Sequence, residues 1–448
     1  MASSKKAATR TATGKTTLTV RGRLFVAASI GFLVAAFALG NTVLLLASFL
    51  TATLVIIGRL LMRARTLELD AVRTFNPPNV AVGDTTRATL VITNRARSKS
   101  ATARWQDGIP WGKRRTEMRV LPALTAHTGR YANSGTSARF SYELTPPRRG
   151  VFEIGPLSVV TGDPFGLVVG TVSLAGTHSL FVTPPVVDLS GNGMPLEAGD
   201  GSSRVIQRST SGSDDDLMTR EYRRGDALRR VHWRASARYG ELMVRQEEQR
   251  SRPEVRLLFD TRGDGYRDVS TDAPNRSSPQ IESESFEWVV RLVASLGVHL
   301  EASGFSVATI ESGGQQVSSP AVSFRGSTAT GDHSSAAFLE SLAGVRLVRD
   351  DFDGFDHYQP DTAAPVFAVL CQPSDATIDW AIAHRRAFEP GIAVILQTGL
   401  PMMRDLLNPE ALSTRAQFEA AGWQCIEAEP NSSAADVWAE LTAVHDGR

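Results

Sequence analysis

The sequence predicts a multidomain chain: an N-terminal transmembrane helical hairpin, an all-β immunoglobulin-like sandwich, and an α/β domain with a mostly parallel sheet. Three observations predict it. Residues 24–58 carry no charge, and most are Leu, Val, Ile, Ala or Phe. Residues 66–187 read as short strands divided by turn residues. From Val255 onward, apolar runs of strand length alternate with segments of helical period, the pattern of βαβ units. With 448 residues and 42% hydrophobic content, the chain can bury more than one core.

Residues 1–23 carry Lys5, Lys6, Arg10, Lys15, Arg21 and Arg23 and read as a basic, disordered leader. Gly14-Lys15-Thr16 is no phosphate loop, because position 9 is Thr and no strand is expected before it. One helix over 24–58 would reach about 52 Å, far beyond a hydrocarbon core of ~30 Å. Gly40-Asn41 divides the run into two helices, Leu24–Leu39 and Thr42–Gly58. Cations flank both outer ends, with Arg59, Arg63 and Arg65 on the far side, and none lies in the turn. The positive-inside bias then places both termini, and with them the soluble domains, on the cytoplasmic side of the cell membrane. A signal peptide cleaved near Ala38 and followed by one anchoring helix is the other reading, and it leaves the same side cytoplasmic.

In the sandwich, Arg139–Thr145 alternates Phe140, Tyr142 and Leu144 with polar neighbours. Thr86–Thr93, Val151–Ile154 and Leu180–Val182 are further strands, and Asn76-Pro-Pro78, Gly83-Asp84, Pro146-Pro147, Gly162-Asp163-Pro164 and Pro184-Pro185 mark turns. Residues 188–218 turn to Gly, Ser and Asp and read as a flexible linker. An arginine-rich segment occupies 219–250, and the α/β domain 251–448. Its strands are expected at Val255–Phe259, Ser306–Ile310, Val366–Cys371 and Ile392–Gln397. Its helices are expected at Phe286–Ala302, Ala336–Leu342, Ile378–His384, Pro409–Ala421 and Ala434–Val444. Cys371 and Cys425 lie far apart in apolar contexts and read as reduced core thiols.

The formal charge is +1, so electrostatic binding must come from a local patch, and nucleic acid is an unfavoured partner. That patch is residues 220–242, with seven arginines against three carboxylates. Its core pattern is Arg220-x-Tyr222-x-x-Gly225-Asp226-x-x-Arg229-Arg230-x-x-Trp233-Arg234-x-Ser236-Ala237-Arg238. One reading is a solvated basic face. Another is structural, with Tyr222, Leu228 and Trp233 packed, Asp226 paired to an arginine and Gly225 turning the chain. The third is a docking surface, since arginine forks and an indole are the groups that dominate interfaces. His-Glu-x-x-His, Cys-x-x-Cys and Gly-x-Ser-x-Gly motifs are all absent from the sequence, so the residues point to a binding protein and not to an enzyme.

The pattern resembles the signature of the bacterial family named domain of unknown function 58. Its members are membrane-tethered and carry a von Willebrand factor A-like domain. Arg149–Pro156 and Asp163-Pro-Phe-Gly-Leu167 also resemble what the family carries ahead of its signature; in the residues themselves, Gly and Pro there shape turns. The resemblance implies a von Willebrand A-like fold for 251–448 and a MoxR-type AAA+ ATPase as partner, in assembly of proteins or envelope components. It also implies a Mg²⁺ site of Asp-x-Ser-x-Ser type at the first strand end. The corresponding residues are Asp260-Thr-Arg262-Gly-Asp264. Asp260 and Asp264 are the carboxylates available, but Arg262 puts a cation where a ligand belongs, so no cofactor is expected. An anionic-lipid-binding structural role and a hydrolase or nuclease built from distant residues are the alternatives.

Overall fold

The computed structural model describes residues 14–64, 67–112, 114–127, 135–189, 219–222, 231, 233–245, 253–271, 281–317, 331–348, 358, 362–397 and 413–446. It divides into two compact units, residues 1–183 and 184–448.

The first unit opens with β1 (Gly14–Leu18), α1 (Val20–Leu39) and α2 (Thr42–Ala64). The expected disorder up to residue 23 is therefore corrected. Residues 14–18 find a free sheet edge, pairing antiparallel from Gly14↔Val172 to Leu18↔Val168. Residues 1–13 lie outside the described residues. Thr19 caps α1, its hydroxyl accepting from Gly22 N at 3.0 Å. Gly40 ends α1 with φ at 62°, a left-handed value natural to glycine. Asn41 then accepts from Val43 N at 2.9 Å and starts α2. Each helix extends past the outer end of the uncharged run, because the helical backbone continues through the flanking arginines. Each is long and apolar enough to cross a membrane. Ser29 Oγ donates to Ser48 O at 3.0 Å and Ser48 Oγ returns a bond to Ser29 O at 2.8 Å, the polar link expected between apolar helices.

The sandwich-like part follows: β2 (Leu69–Asn76), β3 (Asn79–Ala81), β4 (Thr86–Asn94), β5 (Ala103–Asp107) and β6 (Arg119–Leu121). Then come β7 (Ser137–Leu144), β8 (Gly150–Ile154), β9 (Leu157–Gly162), β10 (Val168–Leu174) and β11 (His178–Thr183). Three sheets form, in the orders β1-β10-β9-β5-β6, β2-β4-β7 and β3-β11-β8. All pairs are antiparallel except β3 with β11. Along β4 every second residue, Thr86, Ala88, Leu90, Ile92 and Asn94, is buried, as its alternating sequence requires. The inner faces meet in a core that includes Leu90, Ile92, Trp105, Leu144, Ile154 and Val159.

Inside that core sits a polar cluster. Arg73 donates from Nε and Nη2 to the two oxygens of Asp107, each at 2.7 Å, and both side chains are fully buried. Tyr142 OH donates to Asp107 Oδ2 at 2.6 Å, and Arg73 Nη1 also reaches Gly176 O at 3.0 Å. His178 Nδ1 lies 3.2 Å from Arg73. Burial, then the neighbouring guanidinium, hold the His178 pKa below its ordinary value. Between that lowered value and about 6.5, the unfolded chain binds the extra proton. The contribution of His178 to sandwich stability is therefore full above about pH 6.5 and is lost as pH falls through the window. Urea unfolding followed by pulse proteolysis across this range should show the slope in the native chain and a flatter one in His178→Gln.

In the second unit, β12 (Thr219–Glu221), α3 (Trp233–Tyr239) and β13 (Met243–Arg245) come first. The 188–218 segment expected as a linker lies outside the described residues beyond Leu189. Next are β14 (Glu254–Phe259), β15 (Ser270–Thr271), β16 (Ile281–Glu282), α4 (Glu284–Ala302), β17 (Ser306–Glu311) and α5 (Gly331–Gly344). The chain ends with β18 (Ala364–Leu370), α6 (Asp375–Ala383), β19 (Phe388–Leu396), α7 (Thr414–Ala420), β20 (Gln424–Ala428) and α8 (Ala434–Asp446). The main sheet has the order β17-β14-β18-β19-β20 and every pairing is parallel. Leu257, Phe259, Phe367 and Val369 pack on one face with α4, α5 and α8; Leu258, Ala368 and Leu370 pack on the other with α6 and α7. Strands buried on both faces read as continuous apolar runs, which is how the sequence showed them.

Candidate functional site

Two places collect the residues to which the sequence assigned chemistry. The first is the arginine-rich segment. β12 and β13 pair antiparallel, Thr219↔Arg245 to Glu221↔Met243, and Val231 bridges to Val244. Tyr222 N donates to Leu242 O at 2.8 Å, continuing the ladder by one residue. α3 packs beside this ribbon through Ser236, whose hydroxyl accepts from Met243 N at 2.8 Å. Arg220 lies on β12 and Tyr222 directly after it. Trp233, Arg234 and Arg238 lie on α3. Gly225, Asp226, Arg229 and Arg230 are outside the described residues, as are Leu228 and His232.

The helix turns its large side chains outward. Trp233 is 69% exposed and Tyr239 65%, and Leu242 beyond them is exposed too. This corrects the reading of Trp233 as a packed structural residue. Tyr222, half-buried, fits that reading better. Arg234 and Arg238 are exposed and four residues apart, so they share a helix face. Like charges so placed disfavour an isolated helix by roughly 0.2–0.5 kcal/mol. Among the described residues neither makes an ion pair. The resulting surface is cationic and aromatic.

The second place is the carboxyl end of β14. Counted from its first strand, the sheet has the order 2-1-3-4-5, and β14 lies at the point where that order reverses. Loops after β14, β17 and β18 meet there. Asp260 is fully buried; its Oδ1 accepts from Arg262 N at 2.9 Å and from the Ser312 hydroxyl, while Oδ2 has no partner among the described residues. Arg262 Nε stands 3.6 Å from Oδ1, and its Nη2 donates to Ser374 Oγ at 2.6 Å and Thr377 Oγ1 at 2.5 Å. Burial pushes the Asp260 pKa up, against the pull of Ser312 and Arg262. Asp264, the other carboxylate considered, is exposed on a 3₁₀ turn, Gly263–Gly265. A hard cation needs converging oxygens. Here two of the hydroxyls at the strand ends accept from a guanidinium instead, so the residues do not fit Mg²⁺. Among the described residues, no group of three or more His, Cys, Asp or Glu side chains could hold a metal.

Ser312, Glu311, Ser374 and Thr377 belong to this cluster and escaped sequence reasoning. Glu311 accepts from Gln316 N and Val317 N and fixes the loop after β17, with burial raising its pKa. Their signal was positional: Glu311 ends β17 and Ser312 directly follows it, while Ser374 caps the helix just after β18 and Thr377 lies in that helix's first turn.

Residues 218–276 match the model of a family described as "Protein of unknown function DUF58". The DUF58 match therefore spans the ribbon, α3 and the Asp260 strand end together. A curated relative is the uncharacterized protein YeaD of Bacillus subtilis (strain 168), 29% identical over 163 residues. That alignment covers 36% of this chain and 35% of YeaD, so the chain spans about a third of its relative's length. Among solved structures, the CARDB domain of the PF1109 protein from Pyrococcus furiosus, in complex with di-metal ions, aligns at 13% identity. It covers 27% of this chain and 96% of that one, with a TM-score of 0.19. Spo0M, a sporulation control protein from Bacillus subtilis, aligns at 11% identity over 34% of this chain and 57% of its own, with a TM-score of 0.13. Neither structural likeness bears on function.

Proposed function

We propose that this chain is a membrane-anchored, non-catalytic adaptor that holds a protein partner at the cytoplasmic face of the cell membrane. The observation that carries the reading is the exposed surface of α3, where Trp233 and Tyr239 stand beside Arg234 and Arg238, which make no ion pair among the described residues. Indole, phenol and guanidinium are the groups that anchor interfaces, and an exposed arginine pair favours an acidic partner. The DUF58 resemblance supplies the partner class, a MoxR-type AAA+ ATPase acting in protein or envelope assembly. It also favours a von Willebrand A-like reading of the doubly wound domain, in which the Asp260 strand end is held by Arg262 rather than by a metal. The two apolar helices supply the tether.

Arg234→Glu with Arg238→Glu tests the docking face. Both side chains are exposed, so the variant keeps its fold. From gently solubilised membranes the native chain should co-purify the ATPase, more weakly as salt rises. The double reversal should lower that recovery at least tenfold. Equal recovery by the variant would place the docking face elsewhere. Retention of anionic lipid with no ATPase by either chain would favour the lipid-binding reading.

A further inference from the structure

The Asp163-Pro-Phe-Gly-Leu167 turn between β9 and β10 lies apart in sequence from the proposed docking helix, and it meets the helix pair. Asp163 closes it, accepting from Phe165 N at 3.0 Å and Val168 N at 2.6 Å. Gly166 adopts φ 69°, and its carbonyl accepts from the Thr19 hydroxyl at 2.7 Å, while Leu167 O accepts from Thr19 N at 2.9 Å. The approach to α1 is close: a Cβ on Gly22 would stand 2.1 Å from Leu167 O. A Cβ on Gly58 would stand 3.1 Å from Asp163 Oδ2. Leu167 and Val168 share a small core with Val55 and Met62 of α2 and with Leu18.

These contacts fix the level of the turn. Gly22 precedes the first residue of the uncharged run, Leu24, by two positions, a rise of about 3 Å. Gly58 is the last residue of that run and Arg59 follows it. On both helices, then, the turn touches the plane where apolar residues give way to Arg21, Arg23, Arg59 and Arg63. Phe165 stands in that turn with 47% of its surface exposed. Trp and Tyr accumulate in the headgroup zone, and surface-lying segments bury Phe at the boundary between headgroups and acyl chains.

We propose that the Asp163–Leu167 turn is a membrane-contact site: Phe165 inserts into the headgroup zone of the bilayer that α1 and α2 cross, so the sandwich carries its own lipid attachment beside the tether. The inference rests on reading α1 and α2 as membrane-spanning. The test uses the full chain with Cys371 and Cys425 changed to Ala, and a single cysteine placed by Phe165→Cys or, as a depth control, by Phe32→Cys. Each carries an NBD label in phosphatidylcholine–phosphatidylglycerol vesicles. Position 165 should emit at shorter wavelength than in detergent-free water and be quenched more by a headgroup nitroxide than by one near the bilayer centre. Position 32 should show the reverse preference. An unquenched label at 165 with a deeply quenched label at 32 overturns the contact site and leaves the tether standing. No quenching at either position overturns the membrane reading of the helices, and the contact site with it. Phe165→Trp, read by the gain in tryptophan quenching over the native chain, should repeat the result with a ring of natural size.

Discussion

Arg73→Met should destabilise the sandwich by about 3–5 kcal/mol, because it leaves Asp107 buried and without its counter-ion. Asp107 receives four donors in all: two from Arg73, one from Tyr142 and one from Gly108 N. Two of them, from Tyr142 and Gly108 N, remain after the change, but the charge that balances the carboxylate does not. The converse variant, Asp107→Leu, strands a guanidinium that keeps Gly176 O and the side of His178 as partners. Arg73→Met combined with Asp107→Leu should recover a large part of the loss, since a buried pair exchanged for apolar groups of similar size is often near neutral. Urea titration with pulse proteolysis reads all three variants. Additive losses in the double variant would contradict a charge-pair origin and point to cavity formation instead.

The second large effect is expected at the β14 end. Arg262→Met should cost about 3 kcal/mol in the α/β domain, because Asp260 is fully buried and has one oxygen already without a partner. The variant also frees Ser374 and Thr377, to which Arg262 donates. Asp260→Asn added to Arg262→Met should restore most of the stability by removing the stranded charge. Denaturant midpoints of the single and double variants measure the coupling. A coupling near zero would mean that the guanidinium does not stand in for a cation at this strand end.

Much of this architecture was legible from period alone. β4, β7, β8 and β11 carry a clear alternation because one face is buried and the other wet. The buried strands β14 and β18 were equally legible as unbroken apolar runs. β9 was not, since Leu157-Ser-Val-Val-Thr-Gly has residues buried on both faces and includes Ser and Thr. β5 was hidden for a different reason: Asp107 points inward, and its place in the core depends on Arg73, which is distant in sequence. β1 lies in a basic leader whose composition gives no hint of a strand; only the available edge of β10 creates it. For the docking face, residue types were readable but exposure was not. Trp233 looked as suited to packing as to binding, and only the short helix on its ribbon turns it outward.

We propose that α3 receives an acidic AAA+ partner at the membrane. Photocrosslinking from position 233 tests it most directly, with a benzophenone amino acid replacing Trp233 in the full chain in its own membranes. One dominant adduct with the ATPase is expected, lost when Arg234 and Arg238 are reversed to Glu. An adduct confined to lipid, or to this same chain, would contradict it.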